Sequence, residues 1–239
     1  MSFSVFTATQ EWLNEHKIKF SAFETTTSTN DLAKKEIFGM PMDAVRVYLA
    51  DQQTLGRGRG QNTWLNPEPG TALLVSWSFT LAESPQSLTG PLFGLAVYRS
   101  LKAAFSRTEF SIKAPNDIYV ADKKILGILV ETVKQGGAYG LVVGLGLNVF
   151  SNPANISNSE NLARHAKIDT QNWPVFLKHL QRNLEAAALA AQGSHLTDQD
   201  RTELLVALNK YVGLKAPYQS VSPFGDLVTE SQTISWRQL

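Results

Sequence analysis

Glycine and arginine alternate in one short stretch, Gly56-Arg57-Gly58-Arg59-Gly60, which lies between Gln53 and Trp64. Glycine lacks the Cβ atom that keeps a ligand away from the backbone, and each guanidinium offers a planar set of donors suited to phosphate or carboxylate. Two arginines this close, with no acid between them, repel each other unless an anion separates them. The stretch therefore predicts an anion-binding loop, although a solvated turn or a flexible nucleic-acid-binding tail could carry the same short motif.

A second group of polar residues lies between Lys113 and Glu131. Pro115 ends the preceding strand and favours an extended residue before it, so Asn116 and Asp117 fall at the corner where the next strand begins. Lys124 follows after a short polar turn. Taken alone, Asp117 could cap a turn and Lys124 could be an ordinary surface lysine.

Two shorter groups complete the set: Thr27-Ser28-Thr29-Asn30 and Gly144-Leu145-Gly146-Leu147-Asn148. Hydroxyls at the start of a helix are usually caps. Paired glycines weaken a strand unless another backbone or a ligand must approach closely. The common nucleotide fingerprints do not apply, because the glycine loop has neither the G-x-G-x-x-G spacing nor the lysine and hydroxyl of a P-loop.

The hydrophobic pattern predicts the elements that position these groups. Helices are predicted over 29–38, 88–105, 173–191 and 198–211, and strands over 44–50, 71–79, 110–113, 118–120, 125–133 and 139–150. Polar turns at 121–123 and 135–137 should join the later strands as hairpins. This order predicts an α+β fold with a mixed or largely antiparallel central sheet and flanking helices.

Composition excludes several classes of protein. The chain has 239 residues, enough for one sizeable core, and its net charge of +1 gives no electrostatic footprint for DNA or for an anionic membrane. It has no cysteine and four histidines, which argues against disulfides and a zinc site. The N-terminal residues resemble no signal peptide and no run is long enough to span a membrane, so we expect a cytoplasmic protein.

In this order and spacing, the four groups resemble the catalytic core of biotin protein ligases, from about Ser28 to Asn148. The family pattern reads S-T-N, then Q-x-x-G-R-G-R and a tryptophan, then K-W-P-N-D with K-x-x-G-I-L-x-E, then G-x-G-x-N. The resemblance implies that the biotin carboxylate attacks the α-phosphate of ATP to give biotinyl-5′-AMP and pyrophosphate. A lysine of a biotin carboxyl carrier domain then attacks this anhydride. Biotin, ATP and Mg²⁺ are the implied ligands.

The resemblance also implies a role for each matching residue. The implied catalytic residues are Lys124 and Arg59, which hold the biotin carboxyl end and the bridging phosphate, and Asp117, which orients or deprotonates the acceptor lysine. Biotin-binding positions are Ser28, Thr29, Gln53, Gly56, Arg59, Lys124, Gly127 and Gly144. Positions that bind ATP or its phosphates are Arg57, Trp64, Asn116 and Asn148. We further expect the loop 54–63 to be open or disordered without ligand and to close over the intermediate, which water would hydrolyse.

The chain departs from the family pattern at several points. Ala114 replaces the tryptophan of K-W-P-N-D, and Asn62 replaces the arginine usual before Trp64. We expect a catalytic domain over 1–211 and, in place of the family's small barrel, a short C-terminal β segment over 212–239. Only 27 residues precede Ser28, too few for a DNA-binding domain, so no DNA partner is expected.

An edge strand of the sheet could mediate a homodimer. Two alternative functions stay open: a lipoate or octanoate ligase or transferase of the same fold, and a catalytically weak biotin-binding sensor. The first is disfavoured by the loop Gly56-Arg57-Gly58-Arg59 and by Pro115-Asn116-Asp117. The second is disfavoured by the retention of Arg59, Lys124 and Asp117.

Overall fold

The computed structural model describes residues 3–41 and 44–239. Residues 1 and 2, with which the predicted catalytic domain begins, and residues 42 and 43 lie outside this range. No described helix has the length and apolar character that crossing a membrane requires.

A seven-stranded mixed sheet forms the centre of the fold. Its order is β1-β2-β3-β7-β6-β5-β4; β1 and β2 are parallel, and the other neighbours are antiparallel. This confirms the predicted fold class. The strands are β1 (Phe20–Thr26), β2 (Val45–Gln53), β3 (Ala72–Leu81), β4 (Phe110–Lys113), β5 (Asp117–Val120), β6 (Lys123–Gln135) and β7 (Ala138–Asn148).

Helices cover both faces of this sheet. They are α1 (Val5–Glu15), α2 (Thr29–Glu36), α3 (Thr89–Ala104), α4 (Asn172–Ala190) and α5 (Asp198–Asn209). Because successive strand residues face opposite sides, Val47 and Leu49 of β2 join the main core with α1, α3 and α4, whereas Tyr48 packs with Ala33 of α2. The Ser28 hydroxyl caps α2 by accepting from the Asp31 amide at 3.4 Å. This cap fixes the residue at which α2 begins and therefore the position of the group Thr27-Ser28-Thr29-Asn30.

Several element bounds differ from the prediction. The sequence pattern missed α1 and β1, and it ended β2 at residue 50, whereas the strand continues to Gln53. The predicted helix over 29–38 ends at Glu36 and is followed by a 3₁₀ turn over Ile37–Gly39. The expected hairpins are present, with left-handed residues at Ala121 and Gly136.

The C-terminal region contains a small separate sheet of three antiparallel strands. These are β8 (Ser220–Val221), β9 (Leu227–Val228) and β10 (Thr233–Ile234), followed by a 3₁₀ turn over Trp236–Gln238. All three strands lie within the predicted C-terminal β segment over 212–239. The division into domains 1–211 and 212–239 stays a prediction.

Candidate active site

One cavity of about 300 Å³ brings most of the predicted residues together. It lies where the N-terminus of α2 and the glycine-arginine loop meet strands β5, β6 and β7. The predicted residues that line it are Ser28, Thr29, Gln53, Arg57, Arg59, Trp64, Asn116, Asp117, Lys124, Gly127 and Gly144. Gly56 and Asn148 are the two predicted residues that do not line this cavity.

A hydrogen-bonded group of side chains forms one end of the cavity. The Gln53 Oε1 atom accepts from the Thr29 amide at 2.8 Å and from the Thr29 hydroxyl at 3.2 Å. The fully buried Ser76 hydroxyl donates to Asn30 Oδ1 at 2.5 Å, and its oxygen lies 2.7 Å from Thr29 Oγ1. The amide of Gln53 is therefore held in one orientation. Sequence reasoning missed Ser76, whose signal is a serine within the apolar strand β3.

Asp117 and Lys124 form an ion pair of 2.7 Å across the β5–β6 hairpin. A register shift between Ile118 and Tyr119 makes this meeting possible, because it pairs Tyr119 with Lys124. The side chain of Asp117 is 17% exposed and that of Lys124 is 32% exposed, so both are partly open to the cavity. The pair combines a carboxylate that can accept a proton with a cation that can hold an anion.

Asn116 is fixed to the neighbouring strand by two hydrogen bonds. Its side-chain Nδ2 donates to the Ile128 carbonyl at 2.8 Å, and its own carbonyl accepts from the Ile128 amide at 2.8 Å. The corner Pro115-Asn116-Asp117 is thereby tied to β6 at the point where β5 begins.

Arg57 is engaged by two carboxylates that the sequence analysis did not foresee. Its Nη2 atom lies 2.6 Å from Asp31 Oδ1 and 2.9 Å from Glu131 Oε2. Lys34 lies 2.9 Å from Glu131 Oε1, and Asn30 donates to Glu131 Oε2 at 2.8 Å. Acids from α2 and β6 thus supply the anion that the closely spaced arginines require, and the binding of phosphate by Arg57 stays a prediction.

The electrostatics of this group, called here the Glu131 cluster (Asp31, Lys34, Arg57 and Glu131), favour its charged form. Burial raises the pKa of Glu131, but the hydrogen bonds from Lys34 and Asn30 and the positive charges of Lys34 and Arg57 outweigh it. The pKa of Glu131 therefore lies below its usual value of 4.5.

The glycine-arginine loop is a short hairpin over the cavity. The Gly58 amide donates to the Asn62 carbonyl at 2.7 Å, and the Trp64 amide donates to the Gly56 carbonyl at 3.0 Å. A Cβ atom at Gly56 would come within 2.8 Å of the Trp64 carbonyl oxygen, so the glycine at this position is needed to close the hairpin. The expected opening of this loop in the absence of ligand stays a prediction.

Trp64 lies on a part of the sheet that has no side chains. Gly127 and Gly146 are partners across β6 and β7, and a Cβ atom on Gly146 would come within 2.5 Å of the indole. Lys124 Nζ is 5.8 Å from the Trp64 ring centroid. Gly144 has a different reason to be glycine, because a Cβ atom there would overlap the side chain of Asn30.

Behind Trp64 lies a smaller cavity of about 130 Å³, which Trp64, Lys124 and Asn148 line. Asn148 Nδ2 donates to Ser159 Oγ at 3.0 Å, whereas its buried Oδ1 has no hydrogen-bond partner within the described part of the chain. The same holds for the buried Nε1 of Trp64. Trp64 therefore separates a larger polar compartment from a smaller one that contains an unused acceptor.

The described residues offer no preformed protein cage for a metal ion. Across 3–41 and 44–239, no three or more histidine, aspartate or glutamate side chains converge in a way that could hold one. Oxygen atoms suited to Mg²⁺ are nevertheless present in the carboxylate of Asp117 and the unpartnered Oδ1 of Asn148.

The chain belongs to the biotin/lipoate A/B protein ligase family, whose model matches residues 22–148, more than half of its length. The human biotin–protein ligase is 33% identical over 138 residues, which are 54% of this chain and 19% of that protein. The bifunctional ligase/repressor BirA of Escherichia coli is 35% identical over 104 residues, or 42% and 32% of the two chains. The matches thus span less than half the length of these relatives.

Solved structures extend the similarity to nearly the whole chain. The biotin protein ligase of Aquifex aeolicus in complex with biotin and ATP superposes with a TM-score of 0.70 and 26% identity, covering 91% of this chain and 95% of that one. The Leishmania major enzyme in complex with biotinyl-5-AMP has a TM-score of 0.64 and 20% identity over 87% and 93% of the two chains. The second comparison supports the fold alone.

Proposed function

We propose that this protein is a biotin–[biotin carboxyl carrier protein] ligase that forms biotinyl-5′-AMP from biotin and ATP and transfers the biotinyl group to a carrier lysine. The observation that carries the proposal is a single cavity in which the Thr29–Gln53 polar end, Arg59 and the Asp117–Lys124 pair come together. The structural similarity to an enzyme in complex with biotin and ATP supports it.

The first step brings a carboxylate against a polyphosphate, so like charges must be held together and neutralised. A biotin carboxylate oxygen attacks the α-phosphorus, and the bond from that phosphorus to the β-phosphate oxygen breaks as pyrophosphate leaves. Arg59 and Lys124 both line the cavity and supply positive charge to the carboxylate and the α-phosphate. Lys124 exchanges part of its contact with Asp117 for the incoming anion.

The second step requires an unprotonated amine, since an ammonium cannot attack. The carrier lysine nitrogen attacks the biotinyl carbonyl carbon, an amide forms, and the bond to the AMP oxygen breaks. Asp117 orients the amine and accepts its proton. Its 2.7 Å contact with Lys124 fixes where the carboxylate lies in the cavity.

Polar groups of biotin and of the nucleotide need partners when they leave water. Ser28, Thr29 and Gln53 bind the ring system of biotin, and the backbone approaches it at Gly127 and Gly144, while Gly56 closes the loop hairpin over the cavity. Trp64 stacks on adenine, while the free Oδ1 of Asn148 accepts a hydrogen bond from the nucleotide. Arg57 and Asn116 assist the phosphates.

Mg²⁺ fits this site as a cofactor that arrives with the nucleotide. Magnesium is usually held by one or two carboxylates together with substrate phosphates and water, which agrees with the few oxygen atoms that the chain offers. When bound, it would offset the negative charge of the polyphosphate. Asn116, which lines the larger cavity together with Arg59 and Lys124, is the residue that would hold it. The cytoplasmic location expected from the sequence stays a prediction.

Intact-mass analysis of an apo biotin carboxyl carrier domain tests the proposal. The domain is incubated with this protein, ATP and Mg²⁺, in parallel with biotin, octanoate or lipoate. We expect the mass of one biotinyl group on one lysine, with biotin alone. A shift with octanoate or lipoate instead would assign the other branch of the family. Measurable biotin binding with no transfer to several carrier domains would identify a sensor.

A further inference from the structure

Trp236 connects the C-terminal region to the candidate active site. Its indole is 5% exposed, and its Nε1 atom donates a hydrogen bond of 2.9 Å to the carbonyl oxygen of Pro115. Pro115 directly precedes Asn116 and Asp117 in the chain. A side chain from the last 3₁₀ turn therefore contacts the corner that carries the proposed base.

The place that Trp236 occupies is built for an indole. Gly90, in the first turn of α3, lies against it so closely that a Cβ atom at Gly90 would overlap indole Nε1 and Cδ1. The same indole belongs to the main hydrophobic core. Trp236 also lines a cavity of about 290 Å³ whose wall includes Arg59, Pro115 and Asn116, residues at or beside the first cavity.

The corner itself has few other ties. Asn116 is bonded to Ile128 of β6, and the Asp117 side chain meets Lys124. Ala114, just before the corner, contributes only a methyl group and faces a different cavity, of about 450 Å³, lined by Tyr211 and Tyr218. Trp236 does not line that cavity, so it holds the corner through the Pro115 carbonyl and does not fill the space beside Ala114.

We propose that Trp236 is a positioning residue for the transfer step: its hydrogen bond to Pro115 sets the position of Asn116 and Asp117 relative to Lys124. This inference rests on the proposed function for its kinetic consequence. Its structural part, the dependence of the corner on the indole, does not.

Trp236→Phe is the most selective test, because it keeps an aromatic ring in the core and removes the indole N–H. We expect transfer from preformed biotinyl-5′-AMP to an apo carrier domain to slow by about three- to tenfold, the factor expected for one lost hydrogen bond. Pyrophosphate release in the first step should fall by a smaller factor, because Asn116 only assists the phosphates in that step, whereas Asp117 is the base of the second. Trp236→Ala should show a larger effect in the same direction.

Gly90→Ala tests the same contact from the other side. Alanine is the better helix former, so the change should not weaken α3, yet its methyl group must displace the indole. We expect slower transfer in Gly90→Ala and no further loss when it is combined with Trp236→Ala, because both remove one interaction. Phe224→Ala serves as the control, since Phe224 is a largely exposed aromatic of the same region.

Hydrogen exchange at the Ile128 amide gives a readout that does not depend on activity. This amide donates to the Asn116 carbonyl, so a displaced corner should make it exchange about tenfold faster in Trp236→Phe and unchanged in Phe224→Ala. Unchanged Ile128 exchange, or equal losses in both reaction steps, overturns the inference. Failure of the unmodified protein to biotinylate a carrier refutes the proposed function instead, and the exchange measurement still decides the role of Trp236.

Discussion

Replacing Glu131 by glutamine tests how the glycine-arginine loop is held. Glu131 receives contacts of 2.9 Å from both Lys34 and Arg57, while Asp31 contacts the same two cations at 3.1 and 2.6 Å. The wild-type cluster therefore balances two carboxylates against two cations. The Glu131→Gln variant leaves one acid to two cations, although the glutamine can still bond to Asn30.

The magnitude follows from exposure. A hydrogen bond to a charged group contributes about 1.5–3 kcal/mol, and the substitution weakens the two that Glu131 accepts from Lys34 and Arg57. Solvent screens these interactions, because the side chains of Glu131, Lys34 and Arg57 are 21%, 24% and 39% exposed. We expect a loss of about 2 kcal/mol in the free energy of unfolding at pH 7. For a chain of this size, that lowers Tm by about 4–8 °C.

The stability difference between wild type and Glu131→Gln should depend on pH in one direction only. Because the native pKa of Glu131 lies below its usual 4.5, its stabilisation is complete above about that pH and is lost as the pH falls through the native pKa. Urea unfolding of wild type and Glu131→Gln from pH 7 to pH 3 should show a difference that is constant at first and then shrinks. Glu230→Gln, which changes an exposed acid, should lie close to wild type throughout. A difference that persists undiminished at pH 3, or none at pH 7, would refute the reasoning.

Further predictions concern the reaction and the loop. Lys124→Ala should abolish biotin-dependent pyrophosphate release by removing charge from the α-phosphate, with Lys123→Ala as the neighbouring control; unchanged release would remove Lys124 from the mechanism. Asp117→Asn should slow carrier labelling by at least about tenfold more than biotinyl-5′-AMP formation, and equal losses would contradict its role as base. Gly146→Ala should push Trp64 off the sheet and weaken ATP binding by about tenfold or more while biotin binding changes little, as isothermal titration would measure. Hydrogen exchange in the loop 54–63 should slow when biotin and ATP are added, and exchange that stays fast would count against loop closure.

The sequence predicted the central strands and the meeting of the four motifs, because both depend on local signals. Alternating apolar residues define β2 and β3, and glycines mark the turn between β6 and β7. Once these strands lie side by side, the residues at their ends must converge. In contrast, α1 was missed although its buried residues Val5, Thr9, Trp12 and Leu13 have helical spacing, because the polar Thr9 interrupts the apolar stripe.

Contacts between distant parts of the chain could not be predicted from local pattern. The acids that engage Arg57 come from α2 and β6, and nothing in the glycine-arginine loop specifies them. The contact of Trp236 with Pro115 joins residues separated by 121 positions. Such partners are set by the tertiary fold. The close contact between Gly90 and Trp236 could not be predicted either, since a glycine near a helix start has several ordinary explanations.

The glycine pair formed by Gly127 and Gly146 lies under Trp64 and brings the sheet into contact with the end of the glycine-arginine loop. Side-chain pairs across neighbouring strands contribute about 0.2–1 kcal/mol each. The paired residues Gly127 and Gly146 have no side chains and therefore lack this contribution. The indole of Trp64 covers these two glycines on one face of the sheet. If the loop opens as predicted, water would reach the main chain there, and opening would be coupled to local fraying of the β6–β7 ladder. Deuterium uptake at these two amides would then report whether the loop is open or closed with and without biotin and ATP.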